Sequence, residues 1–198
     1  MSRTHSLAVI VIGGVLVSLP AASQESERSE ISVQVFGSFV KTTTNNAVEQ
    51  NATNSGGVLA NYRFLFSEQH GVEVNYGYSR NTQEYGLAPR SVGVKANQHE
   101  MTAAYVYRHR LLGFTPFVEA GVGGLVFDPS YTLGTSTRAR ATFVYGAGAD
   151  LMLVKRIFLR AEYRGLVYKS PTFDYGPVDG LDRTTHRAEP SVGFGYRF

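Results

Sequence analysis

The chain has 198 residues, a formal net charge of +3 and a charged fraction of 18%. This length suits one domain, and the charged fraction lies below the roughly 25% that is typical of soluble domains. The absence of cysteine excludes disulfide bonds and thiolate catalysis, and the absence of a Lys/Arg run argues against a nucleic-acid partner.

The first 23 residues have the layout of a secretory signal peptide. Arg3 supplies a positive charge, residues 7–17 form an apolar run, and small residues lead up to Ser23. The run is short for a membrane-spanning helix, which needs about 20 residues. We therefore predict cleavage after Ser23 and a short periplasmic lead-in at 24–30. An uncleaved anchor is the alternative.

From residue 31 onward, apolar and polar residues alternate with a period of two, which is typical of strands. Long and short connections also alternate, as in an up-and-down barrel with both termini on the side of the short turns. The sequence therefore predicts an all-β, eight-stranded antiparallel up-and-down transmembrane β-barrel over residues 31–198. The predicted strands are 31–40, 56–66, 71–80, 97–108, 113–127, 138–153, 156–167 and 187–198.

The charged residues of these segments lie on the face opposite the apolar residues, and acidic and basic groups occur in equal number. Eight strands enclose an interior just wide enough for side chains. We therefore predict that the charges form a polar network that fills the bore, and a narrow conduction path is the alternative. The network residues are Arg63, Glu73, Glu100, Arg108, Glu119, Arg140, Asp150, Arg160, Glu162, Arg164, Glu189 and Arg197.

Alternation alone does not tell the inside of a barrel from its outside. A soluble barrel of the lipocalin type would place the apolar face inside. Twelve charges would make a sparse soluble surface, whereas the apolar face forms an even band suited to lipid, so the pattern favours the membrane barrel. Seven apolar residues fall on the predicted bore face instead: Phe36, Leu59, Leu65, Phe117, Phe127, Phe158 and Leu166.

The last segment places Val192, Phe194, Tyr196 and Phe198 on one face. On this ending and on the eight segments, the chain resembles the eight-stranded outer-membrane β-barrel family of the OmpA-transmembrane or OmpX kind, over residues 31–198. The resemblance implies that these four residues act as the signal read by the barrel-assembly machinery. It also implies a monomer in the bacterial outer membrane, surrounded by lipid and lipopolysaccharide, without a peptidoglycan-binding domain after Phe198.

The expected role is structural or surface interaction, with an extracellular ligand at the long loops. A narrow channel and a lipid A-modifying enzyme are the alternatives. Barrel enzymes of that kind use a histidine with a serine and an acidic residue, and the sequence does not bring such a set together. We therefore expect no enzyme, no cofactor and no metal. The histidines weighed for catalysis are His70, His99, His109 and His186.

Overall fold

The computed structural model describes residues 28–41, 43–45, 48–87, 90–129, 137–170 and 184–198. The predicted signal peptide and residues 24–27 of the lead-in lie outside these ranges. No helix in the described ranges has the length and apolar character needed to cross a membrane. The strands are β1 Ser29–Val40, β2 Thr43–Asn45, β3 Val48–Ala52, β4 Ser55–Leu65, β5 His70–Leu87, β6 Arg90–Arg108, β7 Phe114–Pro129, β8 Arg138–Met152, β9 Ile157–Lys169 and β10 Thr184–Arg197.

Eight of these strands close into a barrel. Around the ring the order is β1, β4, β5, β6, β7, β8, β9 and β10, and each neighbouring pair is antiparallel. The ring is closed by β10, which pairs with β1 from Glu30 opposite Arg197 to Val40 opposite Arg187. Closure leaves the barrel without an open edge, as a membrane-spanning sheet requires. The predicted eight-stranded antiparallel barrel is confirmed.

The apolar and polar faces take opposite sides of the barrel wall. Val33, Met101, Val122 and Phe194 point outward and are each at least 60% exposed, whereas the intervening polar residues are buried in the bore. Side chains alternate between the faces of a strand, so one sequence pattern produces both surfaces. The lipocalin-like alternative is wrong, because it requires the apolar residues inside.

Three short connections lie at one end of the barrel, which we call the turn end. They join β4 to β5, β6 to β7, and β8 to β9. Strand β1 begins and β10 finishes at the same end, where the Phe198 amide donates to the Ser29 carbonyl over 2.8 Å. Gly113 has a φ of 76°, which glycine adopts without a steric penalty. The opposite end is called the loop end.

At the loop end, two segments predicted as loops form additional strand structure. Residues 81–87 and 90–96 of the predicted linker belong to β5 and β6, which stay paired as far as Leu87 opposite Arg90. Within the predicted loop 41–55, β3 pairs with β5 and β2 pairs with β3. Backbone ladder bonds do not depend on side-chain polarity. Strands that extend into water can therefore form without the alternation of apolar and polar residues that predicts the membrane-spanning strands.

The seven apolar residues on the predicted bore face do lie in the bore, and all are buried. Phe117 lies opposite Gly148, and a Cβ atom on that glycine would come within 2.6 Å of the Phe117 ring. The missing side chain of the glycine makes room for the aromatic ring across the strand pair. The same arrangement pairs Phe36 with Gly57 and Phe158 with Gly195.

Candidate functional site

The candidate site is the bore, because the predicted charged residues meet there. Eleven of the twelve are at most 5% exposed. Arg140 is half-buried near the loop end of β8. Buried charges are rare unless they are paired, so the contacts of these groups determine what the bore can do.

At the turn end, four arginines converge on the carboxylate of Glu30. Arg108 donates from Nη1 to Oε1 over 2.6 Å, and Arg197 donates from Nε to the same oxygen over 2.8 Å. Arg160 donates from Nη2 to Oε2 over 3.3 Å, and Arg63 Nη1 lies 3.8 Å from that oxygen. One acidic group thus joins β4, β6, β9 and β10 to β1.

Glu30 and Arg187 belong to the buried charges, although the alternation in the sequence did not predict them as bore residues. The sequence predicts Glu30 in the lead-in, but β1 already begins at Ser29. Its position relative to Ser32 and Gln34 gave the correct face, and the polar residues before it concealed the start of the strand. Arg187 likewise shares a face with Glu189, but it lies where the predicted last strand begins.

Besides Glu30, Arg160 of β9 binds two further acidic groups from different sides of the barrel. It forms a bidentate pair with Asp150 of β8, with Nε to Oδ1 at 2.7 Å and Nη2 to Oδ2 at 2.9 Å. Its Nη1 also donates to Oε2 of Glu73 over 3.1 Å. Because β5 and β9 lie four places apart in a ring of eight strands, this second pair crosses the bore.

Arg63 of β4 crosses the same level of the bore in another direction. Its Nε donates to Oε2 of Glu73 over 2.6 Å, and its Nη1 lies 3.7 Å from Oδ2 of Asp150 on the opposite strand β8. The guanidinium carbon lies 4.2 Å from the centroid of the Phe117 ring, and that of Arg160 lies 5.0 Å from it. Phe117 therefore gives two buried cations an aromatic face.

A second group of charges lies nearer the loop end. Arg164 donates from Nη2 to Oε1 of Glu100 over 2.5 Å, and Arg187 donates from Nη2 to Oε2 of Glu100 over 2.6 Å. Glu189 lies 3.3 Å from Arg164 and 2.5 Å from Arg187. Since Arg187 is on β10 and Glu100 is on β6, this group also joins opposite strands.

Between the two groups lies a cluster of three carboxylates, Glu73, Glu119 and Glu162. Each places one oxygen within 4.8 Å of the others. Carboxylate oxygens are suitable ligands for a hard cation. However, Glu73 already pairs with two arginines, and Glu119 lies 3.4 Å from Nε of Arg164. Arginine side chains therefore already supply positive charge next to this cluster.

The likeness to known proteins agrees with this geometry. The model of the outer membrane protein beta-barrel domain family matches residues 9–198. The chain belongs to this family. The outer membrane is therefore its compartment, and the exposed apolar band is the surface that faces lipid. No curated protein sequence matches the chain.

Solved structures of outer membrane barrels share the fold. OprG of Pseudomonas aeruginosa has a TM-score of 0.61 at 15% identity, covering 86% of this chain and 96% of that one. Neisserial surface protein A has a TM-score of 0.64 at 10% identity, with coverage of 87% and 98%. Ail of Yersinia pestis, solved with the heparin analogue sucrose octasulfate, has a TM-score of 0.54 at 21% identity, with coverage of 86% and 98%.

The four residues that the sequence predicts to act as an assembly signal lie on the lipid-facing side of β10 and just beyond its end. Val192, Phe194, Tyr196 and Phe198 are all exposed. The rings of Tyr196 and Phe198 are stacked with centroids 6.3 Å apart. The Tyr196 hydroxyl accepts a hydrogen bond of 3.1 Å from Nη1 of Arg156. This arrangement leaves the apolar side chains accessible from outside the barrel.

Three of the four candidate catalytic histidines lie against tyrosines on the outer surface. The ring of His99 hydrogen bonds the Tyr76 hydroxyl over 2.9 Å, and that of His186 hydrogen bonds the Tyr145 hydroxyl over 2.9 Å. His70 hydrogen bonds Tyr105 in the same way. Aromatic groups with a polar tip favour the boundary between membrane and water. His109 is exposed in the turn between β6 and β7.

Proposed function

We propose that this outer membrane barrel is a non-conducting structural protein whose loop-end strands mediate contacts at the cell surface. The observation that carries the proposal is the set of buried ion pairs across the bore. Arg160 with Glu73, Arg63 with Asp150, and Arg187 with Glu100 each join opposite strands. They lie at two levels of the barrel, so a solute would have to pass both.

Opening such a bore requires the separation of buried charges. An uncompensated buried charge left by a broken pair destabilises a protein by about 3–5 kcal/mol. Several pairs would have to break together, because Arg160 and Glu73 each have more than one partner. This favours a closed barrel over the narrow channel.

The surface-interaction role rests on the strands at the loop end. Here β5 and β6 stay paired for the full 18-residue length of β5, and β3 and β2 add to the outer part of β5. Exposed segments on a rigid scaffold commonly carry recognition. We therefore propose that any extracellular ligand binds these strands and the segments that join them.

The remaining features follow from the same assignment. We propose that residues 1–23 act as a signal peptide cleaved after Ser23, and that Val192, Phe194, Tyr196 and Phe198 are read by the barrel-assembly machinery. The folded protein would be a monomer in contact with lipid and lipopolysaccharide. It would have neither enzymatic activity nor a cofactor.

Conductance across a planar bilayer tests the closed bore. The folded wild-type protein is expected to produce no current steps, whereas a general porin in the same apparatus does. The double variant Glu73→Ala/Arg160→Ala removes one link across the bore and is expected to conduct more than the wild type. Regular current steps from the folded wild-type protein would make the channel the better assignment.

The orientation can be tested by labelling, since the chain contains no cysteine. Lys95 of β6 is exposed toward the loop end, and Lys155 is exposed in a turn at the other end. A membrane-impermeant maleimide added to intact cells should label Lys95→Cys and leave Lys155→Cys unlabelled until the cells are broken. The reverse pattern contradicts the proposed orientation.

A further inference from the structure

A groove at the turn end lies outside the bore and is not explained by the closed barrel. It separates the turn between β6 and β7 from the turn between β8 and β9, and it has a volume of about 610 Å³. Its walls include Arg110, Leu111 and Leu112 from the first turn, and Leu153, Val154 and Lys155 from the second. The groove therefore combines an apolar surface with two cations.

Backbone hydrogen bonds hold the two turns side by side. The Met152 amide donates to the Gly113 carbonyl over 3.0 Å, which links one turn to the other. Within each turn, Leu111 donates to Phe114 over 2.9 Å, and Leu153 donates to Ile157 over 2.9 Å. These bonds do not use side chains. Substitutions of the side chains that line the groove should therefore leave the two turns in place.

The apolar side chains of these turns are exposed. Leu112 is fully exposed, and Leu111, Leu153 and Val154 are each exposed by half or more. The remaining short turn, between β4 and β5, has no exposed aliphatic residue: its exposed residues are Phe66, Ser67, Glu68 and Gln69. Aliphatic residues are therefore concentrated at the two turns that form the groove.

The charge of the groove has one sign. Arg110 and Lys155 line it from opposite turns, and its other lining residues are uncharged. Both side chains are exposed. Arg156 follows Lys155 and directs Nη1 to the Tyr196 hydroxyl on the lipid-facing side. An anion placed between the two turns would thus meet cations on both sides.

The groove continues into the lipid-facing surface. Phe114 of β7 lies directly opposite Leu151 of β8, and both are exposed on the outer face. Phe114 comes directly after the first turn and Leu151 lies two positions before the second, so the apolar band starts where the groove stops. A ligand with a charged head and an apolar tail fits this order of surfaces.

We propose that the groove binds an anionic phospholipid of the periplasmic leaflet. Arg110 and Lys155 hold the phosphate, Leu112 inserts among the acyl chains, and one chain follows Phe114 and Leu151. Each Lys or Arg near a membrane surface strengthens the binding of anionic headgroups by roughly fivefold, and the aliphatic stems of these side chains pack against apolar neighbours. The inference rests on the proposed orientation but not on the closed bore, and cysteine labelling tests that orientation separately.

Native mass spectrometry of the full chain tests the proposal. The folded protein is released by mild detergent from vesicles of phosphatidylcholine with a minority of phosphatidylglycerol, and the retained lipids are counted. The wild type should retain phosphatidylglycerol in preference to phosphatidylcholine. Arg110→Gln/Lys155→Gln should retain roughly thirtyfold less phosphatidylglycerol, because it removes both cations. Leu112→Ser, which keeps both charges, should also retain less, because a phospholipid is held by its chains as well as its phosphate.

The matched control is Lys41→Gln/Lys95→Gln, which removes two exposed positive charges toward the opposite end. It should retain as much phosphatidylglycerol as the wild type. The proposal is overturned if the groove variant retains the wild-type amount, if the control loses as much as the groove variant, or if the wild type does not distinguish the two lipids. Gel mobility before and after boiling establishes that each variant is folded, and single variants replace the double variant if it does not fold.

Discussion

Arg160 of β9 and Glu73 of β5 form an ion pair across the full width of the barrel, with 3.1 Å between Nη1 and Oε2. Neither residue could reach a partner on the opposite wall of a wide pore. The pair therefore fixes the bore as a filled interior, in line with the dimensions of eight strands. It also couples strands that share no backbone hydrogen bonds.

A double-mutant cycle on this pair should show strong coupling. Arg160→Ala and Glu73→Gln should each lower the free energy of unfolding by about 3–5 kcal/mol, because each removes one partner from a buried ion pair. The double variant should lose at least ~1 kcal/mol less than the sum of the two. Urea unfolding of the refolded protein in vesicles, followed by far-UV circular dichroism, measures all four free energies.

Arg140→Ala is the control for this cycle. Its side chain is half-buried and lies toward the loop end of β8, so its removal should lower the free energy of unfolding by about 1 kcal/mol or less. Combined with Glu73→Gln, it should be additive within about 0.5 kcal/mol. Additivity in the Arg160 cycle as well would show that the cross-bore pair contributes no coupling.

The carboxylate cluster predicts that not every buried acid stabilises the barrel. Glu119 makes no hydrogen bond through either oxygen and lies close to the carboxylates of Glu73 and Glu162. Glu119→Gln keeps the shape of the side chain and removes a negative charge from this cluster. The free energy of unfolding should therefore fall by less than ~1 kcal/mol, or it should rise, because repulsion within the cluster is relieved.

The comparison with Glu73→Gln makes this result specific. Glu73 accepts hydrogen bonds from Arg63, Arg160 and Asn61, so the same change at Glu73 should be much more destabilising. Both variants are measured by the same urea unfolding. Equal losses at the two positions would mean that Glu119 has a cationic partner as effective as those of Glu73.

For the twelve charged residues assigned to the bore, the sequence predicted the side of the wall but not the partners. Alternation along a strand determines the face, and this placed Arg63, Glu73 and Arg160 correctly toward the bore. Pairing across the barrel depends on how strands are staggered around the ring, which no single strand encodes. The link from Arg187 to Glu100, which are 87 positions apart, could therefore not be inferred from spacing.

The boundaries of the strands were predicted only where the membrane imposes alternation. The pattern fades beyond Arg80 and before Asn97, yet β5 and β6 continue as a paired hairpin. At the start of β1 the polar lead-in concealed Glu30, although four arginines contact it. In water, either face of a strand can be polar, and the period-two signal disappears.

Neighbouring glycines at the start of β4 should respond differently to the same substitution. A Cβ atom on Gly57 would lie 2.3 Å from the Phe36 ring and 2.5 Å from the Tyr78 carbonyl oxygen, whereas one on Gly56 would meet only the Phe36 carbonyl oxygen at 3.7 Å. The backbone contact cannot be relieved by a side-chain rotation. Gly57→Ala should therefore lower the free energy of unfolding by about 1–3 kcal/mol.

Gly56→Ala is the matched control, because it changes the same residue type one position earlier on the exposed face. It should be neutral or stabilise by up to about 1 kcal/mol, since alanine loses less backbone freedom than glycine on folding. The thermal midpoint of the heat-dependent gel shift gives the order of the two variants and the wild type. A stability loss at Gly56 equal to that at Gly57 would contradict the role of the close contacts with Phe36 and Tyr78.

The proposed assembly signal predicts a slower rate of assembly for one variant, which the loss of exposed apolar area alone does not predict. Phe198→Ala removes an exposed aromatic ring beyond the end of β10, and Phe143→Ala removes one from the lipid-facing side of β8. Both variants lose a similar apolar surface, so the free energy of unfolding should fall by a similar amount. If Phe198 is read during assembly, only Phe198→Ala should slow the appearance of heat-modifiable protein in pulse-labelled cells, by several-fold. If both purified variants refold into vesicles at equal rates, the slower appearance of Phe198→Ala in cells arises in the assembly step. If both variants are delayed equally in cells, Phe198 is not part of the assembly signal.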